Sequence, residues 1–525
     1  RKSGPSKCVT WNDAPSGTPA AASNRRPHGE KADPLLVRRY PRRVQIARRI
    51  LGQDAGPRRN GGAHGHGAPD TTRVWDLRTD FRQTTPDVVT LSQLFQRNGY
   101  FTARSGKIYH YNNPSEIGTP GFDDPASWQQ VSYPAGFDRT HDEGLVQFFA
   151  RSGGEGGRAG RGRGAAAGPG AAGRQGRGGR GSAPTPDNRL VEAAWRYGGT
   201  GPSGTIRISQ DGCTPTLPFS QNGDLGVALA GHPSEGADEV ITDYMVAEAA
   251  IAMMAEHRND PWFIGAGFFR PHVPFIVPSK YYDLYRVDDI EVPPFDPAEL
   301  TVAPPIAYSS TNPNEGMTPR QHRECLRGYY AAISFVDAQV GRLVDALDRL
   351  GLTDDTTIVF WADHGYMVGE HGQWQKMKLF EPSARVPFIM AGAGVSAAGA
   401  CRRTTEHLDV YPTLVDVCGL EGAPGNLHGH SLAPLLGQPD APWDHPAVSQ
   451  VSRRPASGPT MGYSLRTERY RYTMWAAGAE GEELYDYDAD PRELRNLAAD
   501  PGSAALKSRL RAQLETIARA RGMTA

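Results

Sequence analysis

One unit occurs three times in this chain and constrains its fold more than any other feature: a helix-patterned stretch, a short apolar run, then a polar cluster. Thr90–Asn98 reads as a helix with Gly99 as its C-terminal stop. Tyr100–Ser105 follows as a strand and runs into Gly106-Lys107-Ile108-Tyr109-His110. Thr242 reads as the N-cap of a helix over Asp243–His257. Strand Trp262–Phe268 comes next, then Arg270-Pro271-His272-Val273-Pro274-Phe275. Gln321–Leu350 reads as a long helix, Thr357–Ala362 as the third strand, and Asp363-His364-Gly365 as its exit. Helices alternating with buried strands predict an α/β fold with a mostly parallel central sheet flanked by helices. Ligands of such sheets bind beyond the carboxyl ends of the strands. Lys107, His110, His272, Asp363 and His364 are therefore expected to converge on one pocket.

Past about Ser396 the texture changes. Met461–Met474 alternates as antiparallel strands do, Glu483–Tyr487 adds another, and Ser503–Arg521 reads as a closing helix. The main α/β domain is accordingly placed at 68–395, with a smaller C-terminal α+β subdomain at 396–525. Residues 1–66 read as non-globular, either a mispredicted stretch of sequence or disordered. Gly, Pro and Arg break every period there, and only Leu35–Leu51 is patterned for a short basic helix. Residues 153–181 are nearly all Gly, Ala and Arg and read as a disordered insertion, since they offer too little apolar surface to offset their ordering entropy.

The net charge of −1 is unevenly spread. Residues 1–66 carry +10 and residues 153–181 carry +5, which leaves −16 on the rest. Basic runs can bind nucleic acid, but a Gly/Arg tract without aromatics is a poor stacking platform. No specific nucleic-acid partner is expected. No run of 18 apolar residues occurs, so no membrane span is predicted. Cys8, Cys213, Cys325, Cys401 and Cys418 show no metal-binding spacing, and one or two disulfides remain open.

Asp363-His364 carries the most chemistry. A carboxylate and an imidazole can face one cation where the chain leaves its pleat. Alone, such a pair is more often structural, a Lys at a loop start is usually a solvated charge, and a His between prolines is usually a turn residue. The continuation Gly369-Glu370-His371-Gly372-x-Trp374-x-Lys376, then Glu381, Ser383 and Arg385-Val386-Pro387, is too long for chance. Glu370 and His371 are expected to orient this loop.

These motifs resemble those of the sulfatase family, in the alkaline phosphatase superfamily, and most of all its iduronate-2-sulfatase branch. Pro69-Asp70-Thr71-Thr72-Arg73 resembles the segment after the family's nucleophile motif. Gly106-Lys107-x-x-His110 and Phe269-Arg270-Pro271-His272-x-Pro274-Phe275 resemble two more of its motifs. Asp409-x-Tyr411-Pro412-Thr413-Leu414 and Glu483-Leu484-Tyr485-Asp486 resemble its C-terminal landmarks. The resemblance implies hydrolysis of a sulfate ester on a sulfated carbohydrate. It implies Asp363 and His364 as metal ligands, normally for Ca²⁺, and Lys107 and Lys376 as holders of sulfate oxygens. It implies that His272 protonates the leaving alcohol or binds sulfate, and that His110 aligns or deprotonates the nucleophile. It also implies secretion or a lysosome-like lumen.

The family's nucleophile is a formylglycine made from Cys, or sometimes Ser, in Cys-x-Pro-x-Arg, about a dozen residues before Pro69. Asp54–Gly67 holds neither Cys nor Ser, and residues 1–53 show no apolar strand ending in an Asp pair. Cys213-Thr-Pro-Thr-Leu217 and Ser3-Gly-Pro-Ser-Lys7 do not substitute, by sequence and by position. Two further readings stay open: a metal-dependent phosphohydrolase or phosphodiesterase of the same superfamily, and a non-catalytic protein that binds sulfated glycans.

Overall fold

The computed structural model describes residues 8–9, 69–75, 79–110, 116–136, 138, 146–149, 229–234, 236–309, 312–453 and 458–523. Expectations for Leu35–Leu51, Asp54–Gly67, 153–181 and Cys213 lie outside the described residues.

The main elements follow in chain order. Strand β1 is Cys8–Val9, helix α1 Leu91–Arg97, β2 Phe101–Gly106, β3 Gln130–Ser132, β4 Val146–Phe149 and β5 Leu229–Ser234. Helix α2 is Thr242–Glu256, then come β6 Trp262–Gly267, β7 Phe275–Pro278, helix α3 Pro319–Leu350, β8 Thr356–Trp361 and β9 Phe388–Gly392. Helix α4 spans Val410–Cys418. Strands β10 Ala447–Arg453, β11 Thr460–Arg466, β12 Tyr470–Trp475 and β13 Glu482–Asp486 precede helix α5, Ala504–Ala520.

Each helix–strand–cluster unit of the sequence is present, with ends shifted by one or two residues. Helix α1 starts at a reciprocal cap. Thr90 Oγ1 accepts from Gln93 N, and the Gln93 side chain accepts from Thr90 N. Gly99 follows at φ +82°, the left-handed turn that favours glycine. Tyr100 precedes β2 and packs edge-on against Phe95, with ring centres 4.9 Å apart. Helix α3 has the same reciprocal cap between Thr318 and Gln321 and ends at Gly351, φ +65°.

Thr242 departs from expectation. It is the first residue of α2, not a side-chain cap, and its hydroxyl donates to Asp138 Oδ1 at 2.6 Å. The buried Asp138 takes over because its carboxylate also needs donors, and Thr242 N supplies another at 2.9 Å.

Strands β3, β2 and β6 form a fully parallel sheet in that order. Strand β8 pairs antiparallel with β9 on one edge, and β1 bridges its other edge in parallel at Thr356. Strand β5 pairs parallel with β7 and antiparallel with β4. Helices α2 and α3 cover one face through Ala250, Met254 and Leu347, which pack on Trp262, Ile264 and Ile358. Helices α1 and α4 cover the other, where Leu94, Phe95 and Leu414 meet Phe263, Val359 and Met390. Residues 410–418 thus pack on the main layers, and the antiparallel sheet begins later, at Ala447.

That sheet runs β10-β11-β12-β13, antiparallel throughout. One face packs on α5 through Leu510, Leu514 and Ala518. The other presents Val451, Trp475 and Tyr485 to Met367, Leu379 and Phe380 of the main body. Buried ions join the same seam. Arg466 and Arg471 both reach Glu381, and Arg471 also reaches Glu493 at 3.0 Å. No disulfide joins Cys325, Cys401 and Cys418 to one another. Among the described residues, no helix is long and apolar enough to cross a membrane.

Candidate active site

The carboxyl ends of β2, β6 and β8 bring the three clusters to one cavity, lined by Lys107, His110, His272, Asp363, His364 and Lys376. Lys107, His110, His272, Asp363 and His364, expected to converge, all line this cavity, and Lys376 joins them. Lys107 Nζ lies 3.3 Å from Asp363 Oδ2, although 256 residues separate them. Lys376 Nζ lies 3.0 Å from His364 Nε2. Asp363 Oδ1 and His364 Nε2 are 3.5 Å apart.

Local anchors fix each side chain. Gly106 adopts φ +73°, and a Cβ there would sit 2.2 Å from Gly267 O, so β2 and β6 approach as closely as they do only because both residues are glycine. Lys107 N donates to Gly267 O at 2.7 Å and leaves the sheet at once. Arg104, buried beneath it, pairs with Asp123 and donates to Gly106 O.

The His272 turn hangs from the start of α2. Asp243 accepts from Phe269 N at 2.7 Å and from Arg270 N at 2.8 Å. Burial pushes the Asp243 carboxyl up to about 6, against the pull of Arg270 and these amides. The Arg270 guanidinium pairs with Asp138, and both side chains are fully buried. Lys376 sits on a loop closed by a short antiparallel pairing of Met367–Val368 with Trp374–Gln375. Glu370 Oε2 accepts from Val368 N at 2.8 Å, and His371 stacks on Phe380 at 4.4 Å. Both side chains shape the loop. Buried Lys378 donates to Trp374 O, and to Lys376 O at 3.1 Å.

Sequence reasoning missed Asp138, Asp243, Arg104, Asp123 and Lys378. The first four act through backbone or ionic contacts with other elements, and Lys378 through carbonyls of its own loop. The one signal available was charge inside apolar context, as at Arg104 within β2.

The electrostatics set protonation. His272 Nδ1 contacts Val273 O at 2.7 Å, and His364 Nδ1 contacts Gly365 O at 2.8 Å. A carbonyl only accepts, so each ring carries its proton on Nδ1 and turns an unprotonated Nε2 to the cavity. Burial, with Lys376 and Lys107 beside it, holds His272 well below the usual imidazole range. Burial lowers His364 to about 4 despite Asp363, and burial with Lys107 and Lys376 lowers His110 to about 3. For Asp363, burial acts upward, but His364, Lys107 and Lys376 outweigh it and hold the carboxyl well below its usual range. Its side chain is 64% open to the cavity, so solvent there partly screens these charges. Two ammonium groups, one carboxylate and three neutral imidazoles leave one positive charge.

A parallel-sheet body flanked by helices, with a polar cavity at its strand ends, is an α/β fold of the alkaline phosphatase-like kind. A phosphonate monoester hydrolase from Silicibacter pomeroyi has the same fold, with TM-score 0.61 at 20% identity over 90% of this chain and 90% of that one. So does a protein solved with its substrate D-glucosamine-2-N,6-O-disulfate, with TM-score 0.58 at 17% identity over 91% of this chain and 93% of the other.

The sulfatase family model matches residues 63–420, and the chain belongs to that family of sulfuric ester hydrolases. A second model, described as N-sulphoglucosamine sulphohydrolase, C-terminal, matches residues 369–520. A choline-sulfatase of Rhizobium meliloti is 30% identical, covering 82% of this chain and 71% of that protein. An iduronate 2-sulfatase of Mus musculus is 26% identical, covering 84% and 82%.

Proposed function

We propose that this cavity receives the sulfate group of a sulfated sugar or polysaccharide for hydrolysis of its ester bond. One observation carries the reading. Lys107 and Lys376 come from separate strand ends to within hydrogen-bond reach of Asp363 and His364, and the cluster's net charge is +1. A sulfate monoester carries one negative charge, which this cluster neutralises. A phosphate monoester near neutral pH carries almost two.

In this reading Lys107 and Lys376 hold the sulfate oxygens and offset charge that builds in the transition state. His272 presents an unprotonated Nε2 in the resting site. Burial is the main cause of the lowered His272 pKa, and a sulfate anion seated between the two lysines offsets the lesser part that their charges add. The ring is thereby prepared to take a proton and pass it to the departing alcohol oxygen. His110, kept neutral, serves as a base toward the attacking group.

A Ca²⁺ ion needs six or more oxygen ligands. Asp363 supplies carboxylate oxygens and His364 one nitrogen, and no group of three His, Cys, Asp or Glu side chains suited to a metal occurs among the described residues. These residues do not make a complete calcium site, and no step here is routed through one. Nor does the sequence contain a Cys-x-Pro-x-Arg from which formylglycine is made. The assigned side chains bind, neutralise and move protons, and the attack on sulfur falls to another group.

The choline-sulfatase and iduronate 2-sulfatase relatives suggest the substrates to compare. Sulfate release from heparin-derived disaccharides and choline sulfate, and phosphonate release from a phosphonate monoester, are measured by ion chromatography. Release from the disaccharides is expected. Turnover confined to the phosphonate ester would refute the reading. Saturable disaccharide binding without release would favour the non-catalytic glycan-binding alternative.

A further inference from the structure

Lys107, His272 and Asp363 come just after central strands, and Lys376 does not. It sits on the loop that follows the short pairing of Met367–Val368 with Trp374–Gln375. A lysine stem is flexible, so its ammonium keeps one place only where the backbone beneath it is held.

That backbone is in an unusual state. Gln375 adopts φ +66° and Met377 φ +80°, so a left-handed residue with a side chain stands on each side of Lys376. Side chains disfavour this region, and such residues persist only where their surroundings over-determine them.

Two buried cations supply that constraint. Lys378, 2% exposed, donates from Nζ to Trp374 O, and to Lys376 O at 3.1 Å. These are the carbonyls on either side of Gln375. An ammonium can bridge both at once because it has three donors and no acceptor. Arg453, 5% exposed, donates from Nη2 to Met377 O. It is the last residue of β10 and is itself fixed. Its Nε donates to Ile306 O at 3.3 Å, and its guanidinium lies over the Trp475 ring at 5.6 Å. The carbonyls of residues 374, 376 and 377 are thus held by charge-assisted bonds, which are stronger than neutral ones.

The contact between Lys376 and His364 has one support beneath both of its ends. Lys378 N donates to Ser383 Oγ at 3.2 Å, and Ser383 O accepts from Gly365 N at 3.1 Å. Pro382 O accepts from Tyr366 N at 2.9 Å. The turn at Glu381–Ala384 therefore holds the strand exit that carries His364 and the residue that grips the Lys376 backbone in one frame. The 3.0 Å approach of Lys376 Nζ to His364 Nε2 depends on that frame.

We propose that Lys378 and Arg453 are positioning residues for Lys376. They hold its loop in the left-handed form by three carbonyls and so aim the Lys376 ammonium at the sulfate. Because Arg453 belongs to the C-terminal sheet, the docking of that sheet conditions the affinity of the pocket. The proposal rests on the sulfate reading of the cavity.

Calorimetric titration of glucosamine 6-sulfate into the full chain tests it as a double-variant cycle, well below the unfolding temperature of each variant. Lys378→Met removes the donors and keeps most of the apolar stem. It should weaken binding on the order of tenfold or more, as misplacement of a charged group does. In a chain already carrying Lys376→Ala, where Lys107 remains to hold the anion, the same change should alter affinity less than about twofold, because the group it positions is gone. A purely structural role would give equal losses in both backgrounds, and that result would overturn the proposal. Arg453→Met should follow the same pattern, and it decides the matter if Lys378→Met does not fold. Weakened binding by Lys376→Ala beside undiminished binding by Lys378→Met and Arg453→Met would overturn the proposal and leave the sulfate reading standing. Undiminished binding by Lys376→Ala itself would overturn the sulfate reading, and this proposal with it.

Discussion

Replacing Arg270 by Met should unfold this protein far more readily than replacing a surface arginine, and the reason lies in what is left behind. Arg270 and Asp138 are both fully buried, and the guanidinium is the charge partner of that carboxylate. Asp138 also accepts from Thr242 N and Oγ1, but these neutral donors do not balance its charge. Breaking a buried pair by removing one partner costs about 3–5 kcal/mol. With a denaturant slope of about 3 kcal/mol per molar urea or more for a chain of this size, the unfolding midpoint should fall by roughly 1 M. The double variant Arg270→Met with Asp138→Asn leaves no buried charge. It should recover part of the loss, on the order of 1–3 kcal/mol, despite carrying one more substitution. Urea titrations followed by tryptophan fluorescence measure both. A loss below about 1 kcal/mol in the single variant, or a double variant worse than the sum of the singles, would refute the reasoning.

Two further outcomes follow from the packing. Burial raises Glu493 to about 7 against the pull of Arg471, so the folded state binds a proton that the unfolded state has released near 4.5. Its contribution to stability is therefore present below pH 4.5 and is lost as pH rises toward 7. Glu493→Gln should lack that loss, and its unfolding midpoint relative to the unaltered chain should climb between pH 5 and pH 8; a constant difference would contradict this. Gly267→Ala would place a Cβ 2.0 Å from Lys107 O and must move the turn that carries Lys107. Its affinity for a sugar sulfate should fall at least tenfold, as read by calorimetry, and an unchanged affinity would show that this close approach does not position the lysine.

Much of the fold was legible because it is local. The Thr90–Gln93 and Thr318–Gln321 caps, the stops at Gly99 and Gly351, and the strand-end clusters are all written in neighbouring residues. The convergence of Lys107, His272 and Asp363 follows from the general rule for parallel sheets and needed no contact to be known. What escaped was buried polar pairing, whether distant in sequence or within one loop. Thr242 has the sequence of a cap, but Asp138, 104 residues away, claims its hydroxyl. Lys378 reads as a surface charge two residues after Lys376, yet it is buried and anchors that loop's carbonyls.

The central claim is that Lys107 and Lys376 form a pocket matched to one sulfate charge. Calorimetric titration of glucosamine 6-sulfate and glucosamine 6-phosphate at pH 7.5, into the unaltered chain and into the Lys107→Ala, Lys376→Ala double variant, tests it most directly. The account predicts that the sulfate binds at least tenfold more tightly than the phosphate and that the double variant loses this binding. Preference for the phosphate, or undiminished sulfate binding by the double variant, would contradict it.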